Sequence, residues 1–276
     1  MTKIYYITTL LAVILLGCTR ENKSSIKHEQ IITKYTELKQ IVSEEVDDTF
    51  FVYIRLPKNY NEENKRYPVL YLLDGDISFN MAVSIVRYLQ FGKEVPDLII
   101  AAPAYGTLIS DDEVNYRERD YTISPIERFK DSGGAENYLR FLKSELIPFV
   151  DSNYRTDDFR VINGYSLGGL FTINLLIEEP SLFNCYIAGS PYLTDDISEL
   201  TGKIENIQNY EDEKKLFISV GEYENNEQYH QPINQIITKF GRFNELNIKF
   251  RTFTEGTHFS SPSQALTFGL KFSFKE

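Results

Sequence analysis

The sequence predicts an α/β domain: a mainly parallel sheet of about eight strands with helices on both faces. Three observations predict it. Short unbroken apolar runs recur along the chain, as in strands buried on both faces. Stretches with helical spacing separate them. A glycine-rich turn, Gly164-Tyr165-Ser166-Leu167-Gly168-Gly169, joins one apolar run to a helical one.

An edge strand is expected around Ile31 to Val42. Thr49 to Leu56 alternates and is β-rich, and Pro57 to Arg66 is a polar turn, so the chain should open on a hairpin of half-buried strands. Pro68 to Leu73 (PVLYLL) is the first fully buried strand and ends in Asp74-Gly75. Ile77 to Phe91 has helical spacing, Leu98 to Ala102 is the next buried run, and Ala135 to Val150 is amphipathic. Phe159 to Ile162 leads into the glycine-rich turn, and Leu170 to Ile177 continues it as a helix. Strands follow at Cys185 to Gly189, Leu216 to Gly221 and Ile248 to Phe253, with helices around Glu227 to Phe240 and Ser261 to Leu270. Two long polar excursions, Tyr105 to Ser132 and Tyr192 to Glu213, break the alternation and are expected to form lids or binding walls.

The N-terminus reads as an export signal. One Lys precedes the apolar run Ile4 to Leu16, which is too short to span a bilayer, since that needs about 20 residues. Leu15-Leu16-Gly17-Cys18 resembles a bacterial lipobox, which makes Cys18 the expected lipidation site. Residues 1–17 are therefore expected to be a signal peptide, 18–30 a polar tether and 31–276 the folded domain. The expected location is the bacterial cell envelope, with a lipid anchor as the only membrane contact. With Cys18 so used, Cys185 has no cysteine to pair with. Stability must then come from the core, for which 42% hydrophobic residues suffice in one large domain. A formal charge of −11 argues against nucleic acid as a partner, because phosphate binding needs a basic surface.

The turn at Gly164 to Gly168 matches G-x-S-x-G in the strand-to-helix context that the motif requires. Such a turn lifts the Ser166 hydroxyl above the sheet and aims a helix N-terminus and the Leu167 N–H at a developing oxyanion. A serine nucleophile needs a base, and only three histidines exist. His28 lies in the tether and His230 in an expected helix. His258, in the turn Glu255-Gly256-Thr257-His258 after the last strand, is left as the base. Glu222 and Glu224 both follow the strand Leu216 to Gly221, and either suits the role of orienting acid. The second oxyanion donor should come from the loop after the third strand, where the Asp76 N–H is the candidate. The Asp76 carboxylate would oppose an oxyanion unless it points away.

Together these residues resemble the esterase D-like group of α/β hydrolases, and within it the periplasmic siderophore esterases. The resemblance runs from about Phe51 to Leu266. It rests on YPVLYLLDG (Tyr67 to Gly75), RERDYT (Arg117 to Thr122), GGAENYLRFLKSELIPFVDSNYRTD (Gly133 to Asp157), GYSLGGLF (Gly164 to Phe171), GSP (Gly189 to Pro191), VGEYE (Val220 to Glu224) and EGTHFS (Glu255 to Ser260). It implies the α/β-hydrolase fold and a Ser and His pair, sometimes supported by a carboxylate, that hydrolyses carboxylic esters without metal or cofactor. It also implies Glu224, three residues past the strand-ending glycine, as the acid. Arg117, Arg119 and Tyr121 fall where the family's substrate wall is expected, their bland alternative being ion pairing with Glu118 or Asp120. Where siderophore-esterase relatives tend to carry Trp after the Ser-Pro, this chain reads Tyr192, and it has no Trp anywhere. The expected activity is hydrolysis of a small-molecule or carbohydrate ester. Acyl transfer through the same site, or ligand binding on a non-catalytic hydrolase scaffold, are the alternatives.

Overall fold

A computed structural model describes residues 34–107 and 115–275. The signal segment, the tether and Cys18 lie outside the described residues.

Eight strands form one sheet in the order β1-β2-β4-β3-β5-β6-β7-β8. These are β1 (Thr36–Ser43), β2 (Asp48–Arg55), β3 (Tyr67–Leu72), β4 (Ile99–Ala104), β5 (Thr156–Tyr165), β6 (Cys185–Gly189), β7 (Lys214–Gly221) and β8 (Leu246–Phe253). β2 runs antiparallel to both β1 and β4, and every pairing from β4 through β8 is parallel. The opening hairpin forms as expected, but only β1 is half-buried. β2 lies inside the sheet between β1 and β4, and its second half is buried on both faces.

Alternation along the strands divides the core into two layers. On β3, Val69 and Tyr71 face one layer and Leu70 and Leu72 the other. Helices α1 (Gly75–Phe91) and α8 (Pro262–Ser273) cover the second layer with Phe79, Val83, Val86, Leu266 and Leu270. The first layer takes α5 (Leu167–Glu178), which is buried on all sides, together with α3 (Ala135–Arg140), α4 (Ile147–Asn153) and α7 (Gln231–Phe240). A π-helical segment, Phe141–Leu146, joins α3 to α4 where one amphipathic helix was expected. A second, Asn226–His230, leads into α7.

The two excursions are not structureless. The first contains α2 (Arg117–Tyr121) and the second α6 (Ile197–Asn206). In α6 the apolar positions Ile197, Leu200 and Ile204 recur at helical spacing, diluted by polar neighbours, and pack on the first layer.

Candidate active site

The parallel strands end side by side, Tyr165 of β5 opposite Gly189 of β6 and Gly221 of β7 opposite Phe253 of β8. The residues that follow these ends meet in one place. Ser166 caps α5 with φ 58° and ψ −116°, a backbone conformation that side-chain-bearing residues rarely adopt. Several bonds hold it there: its N–H donates to the Gly189 carbonyl at 2.9 Å, and its carbonyl accepts from the Leu170 and Tyr192 N–H groups at 3.0 Å. Glycine is required beside it, since a Cβ on Gly164 would lie 2.0 Å from the Gly168 carbonyl oxygen.

Glu224 is 8% exposed and folds back over the end of β7. Its Oε1 accepts from the Gly221 N–H at 2.9 Å and from the Ser190 hydroxyl at 2.6 Å, and its Oε2 lies 3.0 Å from His258 Nδ1. Burial pushes this carboxyl up, but the bonds from His258, Ser190 and Gly221 outweigh it and hold it below the usual carboxylate range. The carboxylate thus keeps the proton on Nδ1 and leaves Nε2 as the basic nitrogen. Glu222 is exposed and accepts from the Glu255 N–H at 2.8 Å. Of the two acids, Glu224 reaches the imidazole. The Tyr165 hydroxyl donates to the His258 carbonyl oxygen at 2.7 Å, and the His258 ring lies against the Tyr165 and Tyr229 rings at centroid distances of 5.2 and 4.9 Å. His230 lies apart, in the π-helical segment before α7.

Ser166 and His258 border one cavity of about 290 Å³, with Asp74, Ile77, Ser78, Met81, Arg117, Tyr165, Phe259 and Pro262. A wider cleft of about 990 Å³ along β7, β8 and α8 is lined by Lys215, Lys249, Arg251 and Lys271 and contains neither Ser166 nor His258. Among the described residues, no group of His, Cys, Asp and Glu has the arrangement of a metal site.

Of the expected substrate wall, only Arg117 borders the cavity. Its guanidinium clasps Asp74 with two bonds of 3.0 Å and donates to the Tyr165 carbonyl at 3.1 Å, tying the loop after β3 to the elbow. Arg119 points elsewhere, pairing with Asp120 at 2.7 Å and Asp48 at 2.8 Å and stacking on Tyr116. Tyr121 is 1% exposed, packs on Phe171 and Tyr138, and accepts the Asp74 N–H at 3.2 Å. Neither borders the cavity: the short helix α2 buries Asp120 and Tyr121, and Asp120 holds Arg119.

Leu167 opens α5, and Asp76 stands in the first turn of α1. The Asp76 carboxylate is turned to the Tyr53 hydroxyl at 2.9 Å and to the Tyr105 and Gly106 N–H groups at 2.6 and 3.1 Å. Asp74 and Ser190 were not expected in the site. Asp74 looked like a turn residue after a strand and Ser190 like part of a loop; left-handed backbone at both, φ 56° and 37°, marks them in the structure.

A sheet of this order, with a strained serine elbow and a histidine held by a carboxylate beside it, defines the α/β-hydrolase class. The model of the family described as "Putative esterase" matches residues 43–254, and the chain belongs to that family. Ferri-bacillibactin esterase BesA of Bacillus subtilis is 31% identical over 168 residues, 56% of this chain and 58% of that protein. The BES protein of Bacillus cereus, whose crystal structure is known, superposes with a TM-score of 0.78 at 25% identity, covering 92% of this chain and all of that one, 100%. An IroE-like serine hydrolase of Shewanella oneidensis gives a TM-score of 0.76 at 24% identity over 87% of this chain and 80% of its own. Fold and family are thus those of ester hydrolases, with siderophore esterases among the relatives.

Proposed function

We propose that the chain is a serine esterase acting on carboxylic esters outside the cytoplasm. One observation carries the reading: Ser166, held at φ 58°, borders the same cavity as His258, whose Nδ1 lies 3.0 Å from a buried Glu224. Ser166 Oγ attacks the ester carbonyl as His258 Nε2 takes its proton, and Glu224 stabilises the imidazolium that forms. The Leu167 and Asp76 amides, at the N-termini of α5 and α1, receive the oxyanion. The alcohol leaves with the proton from His258, and water then attacks the acyl-Ser166 ester by the same route in reverse. The Asp76 carboxylate, engaged by Tyr53 and by the Tyr105 and Gly106 amides, is held by groups on its own side.

The N-terminal apolar run and the Leu-Leu-Gly-Cys sequence at 15–18 support export and lipidation at Cys18. The test of the catalytic reading is hydrolysis of p-nitrophenyl acetate by wild type and by Ser166→Ala. Turnover in the wild type that Ser166→Ala abolishes is expected; equal turnover in both would overturn it.

A further inference from the structure

The catalytic cavity has a polar and an apolar side. On the polar side stand Asp74 and Arg117, and Arg117 is the only Lys or Arg among the described residues bordering the cavity. That guanidinium pairs with Asp74 through its Nε and one terminal nitrogen, so its charge is balanced by that carboxylate. With Asp76 and Glu224 close by and a formal charge of −11 on the whole chain, an anionic substrate meets no unpaired Lys or Arg among the described residues bordering the cavity.

On the apolar side the cavity is bordered by Ile77 and Met81 of α1 and, opposite, by Phe259 and Pro262. Ile77 is 72% exposed and Phe259 92%, an unusual cost for two large apolar side chains on adjoining lips of one cavity. Beyond the exposed Ser84 the same helix face carries two more apolar side chains. At 3.6 residues per turn, Tyr88 and Phe91 fall on the same face of α1 as Ile77 and Met81, and they are 79% and 90% exposed. A cavity of about 290 Å³ holds the reacting ester and the first carbons of an acyl group, and the exposed Ile77 and Phe259 offer apolar surface to the rest.

We infer that this site takes neutral esters with an extended apolar acyl chain, gripped between Ile77 and Met81 on one side and Phe259 and Pro262 on the other, in preference to anionic metal-chelating esters. The inference rests on the serine esterase reading and names its substrate class. Full burial of one methylene is worth about 0.8 kcal/mol, close to fourfold in kcat/KM, and partial burial on open lips less.

The experiment compares p-nitrophenyl acetate, butyrate and octanoate with a ferric tris-catecholate trilactone, using the purified mature chain labelled in parallel with a fluorophosphonate. The expected result is a kcat/KM at least about 10-fold higher for octanoate than for acetate, with the trilactone hydrolysed more slowly than octanoate. Ile77→Ser and Phe259→Ser should each lower the octanoate-to-acetate ratio by about threefold or more. Equal rates on acetate and octanoate, a preference for the trilactone, an unchanged ratio in both variants, or labelling without hydrolysis of any of these esters would each overturn the inference. Absence of labelling with absence of hydrolysis would instead overturn the serine esterase reading, and the inference with it.

Discussion

Two neighbouring regions of the cavity are built by opposite means. Around Ser166, Ser190 and Glu224 the Glu224 carboxylate is bound by Ser190, Gly221 and His258, two residues are held at positive φ, and the acid is buried. Along Ile77, Met81 and Phe259 the side chains are apolar and make no hydrogen bonds; Ile77 and Phe259 are open to solvent, Met81 packs on the second core layer and Phe259 edges the His258 ring. The hydrogen-bonded region is over-determined, which is how a strained nucleophile is kept in place. The apolar lips have no such hydrogen-bond network, which suits the varied acyl groups inferred above. Chemistry and selectivity should therefore respond to different substitutions: the network sets turnover for every ester alike, and the lips set the order of preference among esters.

The largest effect is expected at the nucleophile and base. Ser166→Ala and His258→Ala should each lower kcat by about 10⁵ or more, and the double variant should be no worse than either, because the pair acts as a unit. A double variant much slower than both singles would mean that the two act independently. Next comes the acid. Glu224→Gln should lower kcat by about 10² to 10⁴, while Glu222→Gln, whose carboxylate meets only the Glu255 amide, should stay within about threefold. The sign of the pH effect follows from the lowered Glu224 carboxyl. Its contribution to stability is present above the ordinary carboxylate range and is lost as pH falls through its lower folded value, so wild type should lose its advantage over Glu224→Gln on acidification. A denaturation series from neutral to acid pH measures this.

Ser190→Ala should follow, with kcat down about 10-fold and KM little changed, the worth of one hydrogen bond to a carboxylate. Ser190 is a positioning residue, so the same substitution made in Glu224→Gln should cost much less; an equal cost in both backgrounds would assign it a merely structural role. The smallest effect on chemistry is expected at Arg117. Arg117→Met strands the Asp74 carboxylate beside the elbow and should destabilise the fold by about 3 kcal/mol, the low end for a broken buried pair because Arg117 is partly exposed. Urea unfolding would register it. At the chain's other end, Cys18→Ala should move the protein from the membrane to the soluble fraction, and retention in membranes would point to another anchor.

The sequence made the chemistry of the network legible more readily than its supports. Ser166 stands in a motif that needs its flanking strand and helix, and His258 is reached by elimination among three histidines. Glu222 and Glu224 could not be separated by spacing alone. The difference lies in Gly221, where a Cβ would lie 2.5 Å from the Gly256 carbonyl; only the bare backbone lets the turn pack so tightly that Glu224 folds back under His258. Arg119 and Tyr121 looked like wall residues because nothing in RERDY tells which side chain will find a partner far along the chain. Asp48 claims Arg119, and the first core layer claims Tyr121. The strands of the parallel sheet were read to within a few residues, since double-sided burial leaves its mark in composition. α6 was hidden because its apolar stripe is narrow and interrupted by charge.

Whether Ser166 is an activated nucleophile can be read from the intact mass of the chain after treatment with a fluorophosphonate. One covalent adduct is expected on the folded wild-type chain, mapped to the peptide that carries Ser166, strongly slowed in His258→Ala and absent from Ser166→Ala. A folded wild-type chain that takes up no adduct, or a Ser166→Ala chain that takes up the same one, would contradict it.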